Sequence, residues 1–314
     1  MSAPLLVLAA GGTGGHMFPA QALAEEMLGR GWRVRLTSDA RGLRYSDSFP
    51  EAVERVETRA ASLARGGLTG RLGAPVTILR GVVATIAAFE RDRPAVIAGF
   101  GGYPSVPALA AGWWLRIPRL IHEQNAVLGR VNRVFAMRVD RVLCGAWPTA
   151  RLPGGVSAEH VGNPVRAAVQ ELAEQPYQPP GEGRLRLVVF GGSQGASVLA
   201  RVVPQAIQLL PEEVRCRLEV VQQARPGEEE TLAAAYRDSG VTAEIAPFFD
   251  DMPGRIADAH LVISRAGAST VAEIAAIGRP AVLVPYPHAT DDHQTANAAA
   301  LARAGGAVAV QERE

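Results

Sequence analysis

A two-domain α/β fold, each half a parallel sheet joined by crossover helices, is what this sequence predicts, and three observations lead there. Short apolar runs such as LLVLAA and LRLVVF alternate with longer helical patterns, and that alternation argues for parallel sheets. Apart from Arg186 in the second, the runs are continuously apolar, as in strands covered on both faces. The length, 314 residues, is about twice that of a usual domain.

The elements can be read in order. Residues 5–9 form a strand, 19–28 a helix and 33–37 the next strand. Further strands are expected at 95–98, 120–122, 141–144, 185–190, 219–222, 261–264 and 281–285. A weak internal repeat supports two halves: LLVLAAGGTGGHMFPA near the start is similar to RLRLVVFGGSQGASVLA from Arg184. Each is an apolar strand, then Gly-Gly-(Thr/Ser)-x-Gly, then a helix, so each half is Rossmann-like. The stretch between them is rich in Pro and Gly, and the hinge is placed at 162–166, dividing domains 1–162 and 163–314.

Composition removes several classes of function. With 48% hydrophobic and 20% charged residues the chain is ordinary for a soluble globular protein and not disordered. Its 32 basic and 31 acidic residues nearly cancel, so it lacks the basic footprint of a nucleic-acid binder. Every basic residue is Arg, which excludes chemistry that needs a lysine, such as a Walker-type phosphate loop or a Schiff base. Cys144 and Cys216 are far apart and form no C-x-x-C pair, so a reducing cytoplasm is the expected compartment. No uncharged apolar stretch reaches the roughly 18 residues of a spanning helix.

Three glycine-containing loops carry the chemistry. The first runs Gly11-Gly12-Thr13-Gly14-Gly15-His16 between a strand and a helix. Backbone N–H groups and a positive helix end meet there, which suits a phosphate or a developing anion. Pro19 fits the first helical turn. A dinucleotide fingerprint would need glycine at 12, 14 and 17, but position 17 is Met, although Asp39 ends the second strand as a ribose-binding acid would. A mere tight turn would explain two of the glycines, not four beside a histidine. In the second loop, GGSQG (191–195), Ser193 either bonds a phosphate oxygen or caps the next helix.

The third loop, SRAGASTVAE (264–273), follows a strand and puts Ser269 and Thr270 at an anion-binding helix terminus. Glu273, one turn on, either accepts hydroxyls of a sugar or complements the helix dipole as an exposed acid. A dense polar run, HATDDHQTAN (288–297), follows another strand, where open α/β sheets bind ligands. It lacks H-x-x-x-H and H-E-x-x-H spacing, so a metal site is a minor reading.

The runs GGTGGHMFPA (11–20), GFGGYPS (99–105), HEQN (122–125), GNPVR (162–166), GGSQGA (191–196), SRAGASTVAE (264–273) and DDHQTANA (291–298) occur in this order. Together they resemble the MurG family of bacterial glycosyltransferases from the first strand to the last residue. The resemblance implies a GT-B fold, two Rossmann-like domains with parallel sheets facing across a cleft, with acceptor and membrane on 1–162 and donor on 163–314. It implies an inverting hexosyltransferase that moves GlcNAc from UDP-GlcNAc to the C4 hydroxyl of the MurNAc-pentapeptide of lipid I, forming lipid II for the cell wall, with no cofactor.

By the same resemblance, Thr13, Gly14, Gly15 and Asn125 would face the transferred sugar and acceptor. Arg166 and Ser193 would hold the diphosphate, with Ala268, Ser269 and Thr270 at the same group. Phe249 would meet the uracil through its backbone, Glu273 the ribose hydroxyls and Gln294 the sugar hydroxyls. His293 stands where the family often has a second Gln. Family members usually run some tens of residues further, so C-terminal residues of the family are expected to be missing. Another UDP-sugar enzyme of this fold, such as a UDP-GlcNAc 2-epimerase, is the alternative. A non-catalytic nucleotide-sugar binder could dispense with His16 and Asn125.

Inverting transfer needs a base for the acceptor hydroxyl, and His16 is the best-placed candidate. The adjacent helix N-terminus disfavours imidazolium and keeps the ring neutral. His160 and His260 fall at strand edges, and His122, His288 and His293 read as sugar or structural contacts. Lipid I is held in the bilayer, so the resemblance implies a peripheral protein on the cytoplasmic face of the inner membrane. Leu72, Val76, Leu79 and Val83 recur at helical spacing beside Arg65, Arg71 and Arg80, with Trp113 and Trp114 further on, so an anionic membrane surface is the expected partner. Ordinary core packing is expected to claim half of these side chains.

Overall fold

The computed structural model describes residues 3–58, 68–192 and 197–312, with the backbone alone for 68–75. Backbone contacts divide the chain into two compact units, Met1–Arg166 and Ala167–Glu314. The division falls at the end of the GNPVR run, four residues beyond the Gly162 boundary read from the sequence.

In the first unit the elements are β1 (Leu5–Ala9), α1 (Gly14–Gly29), β2 (Arg33–Ser38), α2 (Ala40–Leu43), β3 (Glu54–Glu57), α3 (Leu68–Arg91) and β4 (Val96–Gly99). They continue with α4 (Val106–Trp114), β5 (Arg119–Glu123), α5 (Arg130–Phe135), β6 (Arg141–Cys144) and β7 (Ala158–His160). All seven strands are parallel, in the order β3-β2-β1-β4-β5-β6-β7. The direction of strand order reverses at β1, so the loops after β1 and β4 lie side by side where such sheets bind ligands.

Strand β1 shows why this sheet is central. Its side chains alternate faces. Leu5, Val7 and Ala9 pack with Phe89 of α3 and Ala108, Leu109 and Ala111 of α4 on one side. Leu6 and Leu8 pack with Met17, Ala20 and Ala24 of α1 on the other. Both faces are dry, so the run is apolar at every position, and each such large side chain contributes about 1.5–3 kcal/mol on burial. Helix α1 begins at Gly14, five residues before the expected start, because it springs directly from the glycine loop. Pro19 therefore lies inside the helix and not in its first turn.

The second unit repeats the plan with α6 (Ala167–Gln170), β8 (Leu185–Phe190), α7 (Ser197–Gln208), α8 (Glu212–Arg215), β9 (Leu218–Gln223), α9 (Glu229–Asp238) and β10 (Thr242–Ala246). Then come α10 (Met252–Asp258), β11 (Leu261–Ser264), α11 (Ala268–Ile277), β12 (Ala281–Leu283), α12 (His293–Arg303) and β13 (Ala307–Ala309). The sheet is parallel throughout, in the order β10-β9-β8-β11-β12-β13. Leu187 and Val189 of β8 join Leu199, Val203 and Ile207 of α7 and Leu232 and Tyr236 of α9 in one core.

Four strands escaped the sequence reading: β3, β7, β10 and β13. They are the four edges of the two sheets. Three carry charged residues among three to five positions, as ERVE, AEH and TAEIA. An edge strand has one free flank and need not be a continuous apolar run.

Candidate active site

In the first unit, the loops after β1, β4 and β5 interlock through glycine. A Cβ at Gly11 would stand 2.6 Å from Pro104, and one at Gly102 would stand 3.0 Å from the Gly11 carbonyl. At Gly101, whose φ is +91°, a Cβ would approach His16 Nε2 to 3.3 Å and Asn132 Nδ2 to 3.4 Å. The GFGGYPS run therefore has a steric purpose: it lets backbone lie against the His16 ring. Asp39 has a structural role: its Oδ1 accepts from the Gly42 N–H and caps α2.

His16 occupies the third position of α1, at half-buried depth. Its Nδ1 lies 2.9 Å from the Gly11 carbonyl oxygen, which can only accept, so Nδ1 donates. In the neutral ring the lone pair is then on Nε2. Thr13 is the N-cap, with Gly14 and Gly15 as the first two helical residues. Phe18 lies against the Cβ position of Gly14, and the Arg166 guanidinium sits 4.6 Å above the Phe18 ring centre.

Sequence reading passed over the carboxylate that organises the next loop. Glu123, at the end of β5, is 2% exposed. One of its oxygens accepts from the Asn125 backbone N–H at 3.1 Å and from Asn125 Nδ2 at 3.0 Å. The other accepts from the Gly129 N–H at 2.8 Å and Asn132 Nδ2 at 2.9 Å. Four donors on one buried carboxylate compensate its desolvation and fix Asn125 in place. The HEQN run signals this only as adjacency; the donors from 129 and 132 have no local signature.

His122 is a buried structural histidine. Its Nε2 donates to the Gly162 carbonyl at 3.0 Å, while Nδ1 accepts from Gln124 Nε2 at 3.2 Å. Asn163 Nδ2 donates to the Gln124 carbonyl at 2.9 Å. The start of the GNPVR run is thus tied to the end of β5. Burial holds the His122 pKa below its ordinary 6.5.

In the second unit, Gly191 and Gly192 leave β8, and Ser193 lies outside the described residues. Gln223, at the end of β9, accepts from the Gly191 N–H at 3.3 Å and donates to the Pro247 carbonyl at 3.1 Å, bridging two loops. Phe249 is buried beneath the Arg255 guanidinium, 4.3 Å from the ring centre, and Arg255 itself grips Glu244 with two hydrogen bonds. Ala268, Ser269 and Thr270 form the first turn of α11, whose N-cap, Gly267, brings no side chain to the helix end. Glu273 is 8% exposed and in the second turn, so it is not the exposed acid of the alternative reading. Gln294, in the first turn of α12, accepts through Oε1 from the Ala266 N–H at 3.2 Å and the Tyr286 N–H at 2.9 Å. His293 Nδ1 donates to the Thr290 carbonyl at 2.7 Å. Among the described residues no three His, Cys, Asp or Glu side chains gather closely enough to hold a metal ion.

Residues 6–144 match the N-terminal domain of glycosyltransferase family 28, and 186–314 match its C-terminal domain. The chain belongs to glycosyltransferase family 28. Its relatives include a protein of Chelativorans sp. named UDP-N-acetylglucosamine–N-acetylmuramyl-(pentapeptide) pyrophosphoryl-undecaprenol N-acetylglucosamine transferase. The two are 49% identical over 100% of this chain and 84% of that protein. A protein of the same name from Rhodospirillum centenum is 51% identical over 98% of this chain and 81% of its own length. Among solved structures, MurG of Acinetobacter baumannii superposes with a TM-score of 0.76 at 32% identity, covering 99% of this chain and 86% of that one. The two Rossmann-like units are those of a GT-B glycosyltransferase.

The buried His122 generates a pH prediction. Its pKa is depressed in the folded state, so the unfolded chain takes the proton first as pH falls below 6.5. The stability it contributes is complete above that pH and is lost as pH falls through the lower, folded value. The unfolding midpoint should drop between about pH 7.5 and pH 5.5, and His122→Gln should flatten that drop. The same slope in the variant would mean that another group is responsible.

Proposed function

We propose that this family-28 chain transfers N-acetylglucosamine from UDP-N-acetylglucosamine to the C4 hydroxyl of the muramoyl sugar of lipid I, inverting the anomeric carbon and giving lipid II. The relatives that match it from end to end carry the name of this reaction. The geometry that favours it is the His16 ring, oriented by the Gly11 carbonyl so that Nε2 is the acceptor nitrogen.

In this reading the first unit serves the acceptor and the second the donor. The acceptor oxygen attacks the anomeric carbon and its proton passes to His16 Nε2. The bond from the anomeric carbon to the phosphate oxygen breaks, and UDP leaves with the negative charge. Thr13, Gly14, Gly15 and Asn125 face the reacting sugars. The leaving diphosphate is met by the first-turn N–H groups of Ala268, Ser269 and Thr270, which a helix does not use internally, with Arg166 and Ser193 adding donors. Phe249, its ring buried, offers backbone to the uracil. Glu273 accepts the ribose hydroxyls. Gln294 donates through Nε2 to the sugar, its oxygen being committed to Ala266 and Tyr286.

The acceptor's lipid requires a docking face, and the first unit has a suitable one. Val76, Leu79 and Val83 lie on one side of α3 and are each more than half exposed, as are Trp113 and Trp114 at the end of α4. Core packing does not claim them; Leu72 and Arg71 have no described side chain, and Arg65 lies outside the described residues. Arg80 and Arg116 are exposed on the same two elements or just beyond. No helix among the described residues is long and apolar enough to cross a membrane. Exposed apolar side chains with interfacial tryptophans and arginines fit peripheral binding to an anionic surface at the cytoplasmic face of the inner membrane.

Three outcomes test this. Purified chain given UDP-GlcNAc and a short-chain lipid I analogue should form the disaccharide product, and His16→Asn should lower kcat by roughly 10²–10⁴-fold with donor affinity nearly unchanged. Retained turnover in that variant would exclude His16 as the base, and no transfer by the unaltered chain would overturn the function. Glu273→Ala should weaken UDP binding by roughly 10- to 150-fold, the loss of hydrogen bonds to a charged acceptor; an unchanged titration would remove Glu273 from the ribose. Replacing Leu79, Arg80 and Val83 together with Ser should reduce sedimentation with anionic vesicles while sparing turnover of a water-soluble acceptor. Equal sedimentation of variant and unaltered chain would rule that face out.

A further inference from the structure

The start of α11 is held by α12. Asn297, three residues after Gln294 and therefore on the same face of α12, is 3% exposed. Its Nδ2 donates to the Ala266 carbonyl at 3.1 Å. Gln294 Oε1 accepts from the Ala266 N–H. The two side chains thus grip the polar groups on either side of one residue, immediately before the Gly267 N-cap.

We infer that Asn297 is a positioning residue of the donor site: with Gln294 it fixes Ala266, and thereby sets where the first N–H groups of α11 and Glu273 are aimed at a nucleoside diphosphate. The inference rests on the donor reading above. Gly267 contributes no side chain that could anchor the helix end, so its placement depends on bonds to the preceding backbone. The neighbouring residue is tied in the same manner. Arg265 is 8% exposed, its Nη1 donates to the carbonyls of Val284 and Pro285 at 3.2 and 3.1 Å, and its Nη2 pairs with Glu312 at 2.7 Å. The loop before α11 therefore takes its position from α12, the loop after β12 and the segment past β13.

Only a short side chain with an N–H donor serves at 297. Asp would set a carboxylate oxygen against the Ala266 carbonyl at a buried position. Displaced N–H groups at the head of α11 would bind the diphosphate less well, while the acceptor and the base, both on the first unit, are untouched.

The test uses purified full chain and UDP as the probe. Asn297→Asp should weaken UDP binding by about tenfold or more and raise the donor KM in parallel, with Asn297→Ala nearer the low end of a single hydrogen bond's loss, about two- to tenfold. The kcat at saturating donor and the acceptor KM should stay within about threefold of the unaltered chain, a split that general loss of packing does not produce. Thermal unfolding establishes that the variants are folded, and if Asn297→Asp does not fold, Asn297→Ala decides. Folded variants that bind UDP within about twofold of the unaltered chain would overturn the inference alone. Failure of the unaltered chain to bind UDP would overturn the donor reading and the inference with it.

Discussion

The constraint on which the rest of this molecule depends is that both sheets are parallel from edge to edge. Parallel pairing forces each strand to be followed by a crossover, so the carboxyl ends of all the strands in a unit lie along one edge. Most loops leaving that edge end a strand and start a helix, and bring unpaired N–H groups with them; the connection from β6 to β7 has no helix. Chemistry that stabilises a departing diphosphate is therefore available along this edge before any specialised side chain is added. Both units repeat the arrangement, with the reversal in strand order at β1 and at β8.

A loop that is to act on a small ligand must also keep still, and here that task falls on buried and half-buried polar side chains that bind neighbouring loops. His16 donates to the Gly11 carbonyl; Glu123 collects four N–H donors; Gln223 joins Gly191 to Pro247; Gln294 and Asn297 hold Ala266. Each hydrogen bond contributes only about 0.5–1.5 kcal/mol net, but a buried partner left unmatched costs about 1–3 kcal/mol. The asymmetry matters more than the gain: an alternative loop conformation that strands Glu123 without its donors is expensive. Such a network serves geometry more than bulk stability.

Much of this was legible in the sequence, for physical reasons that also explain the gaps. Interior strands announce themselves because β1, and β8 from Leu187 onward, are buried and apolar on both faces; β3 and β10, at the edges, need not be, and their charges disguised them. The glycine loop, SRAGASTVAE and DDHQTANA runs were recognisable because helix-start geometry imposes local residue choices. The bracing partners were not. Gln223 acts on residues 32 positions before it and 24 after it, and Asn132 reaches back nine to Glu123. Contacts of that kind leave no periodicity. GFGGYPS was visible as a motif, yet its purpose emerges only where Gly101 meets the His16 ring. The expectation that core packing claims half of the named side chains of α3 and α4 fails for Val76, Leu79, Val83, Trp113 and Trp114, because spacing alone cannot tell a face turned inward from one turned to a surface.

The proposed transfer turns on a single proton. If the Gly11 carbonyl orients the imidazole as described, the neutral ring carries its hydrogen on Nδ1 and accepts on Nε2, the nitrogen to which the proposed reaction passes the acceptor's proton. Long-range proton–nitrogen NMR of chain labelled at histidine, with His16 assigned by its Asn variant, reads this directly at neutral pH. The account predicts a protonated Nδ1 and an unprotonated Nε2 for His16. A resonance pattern with the proton on Nε2, or a doubly protonated ring at pH 7, would contradict it.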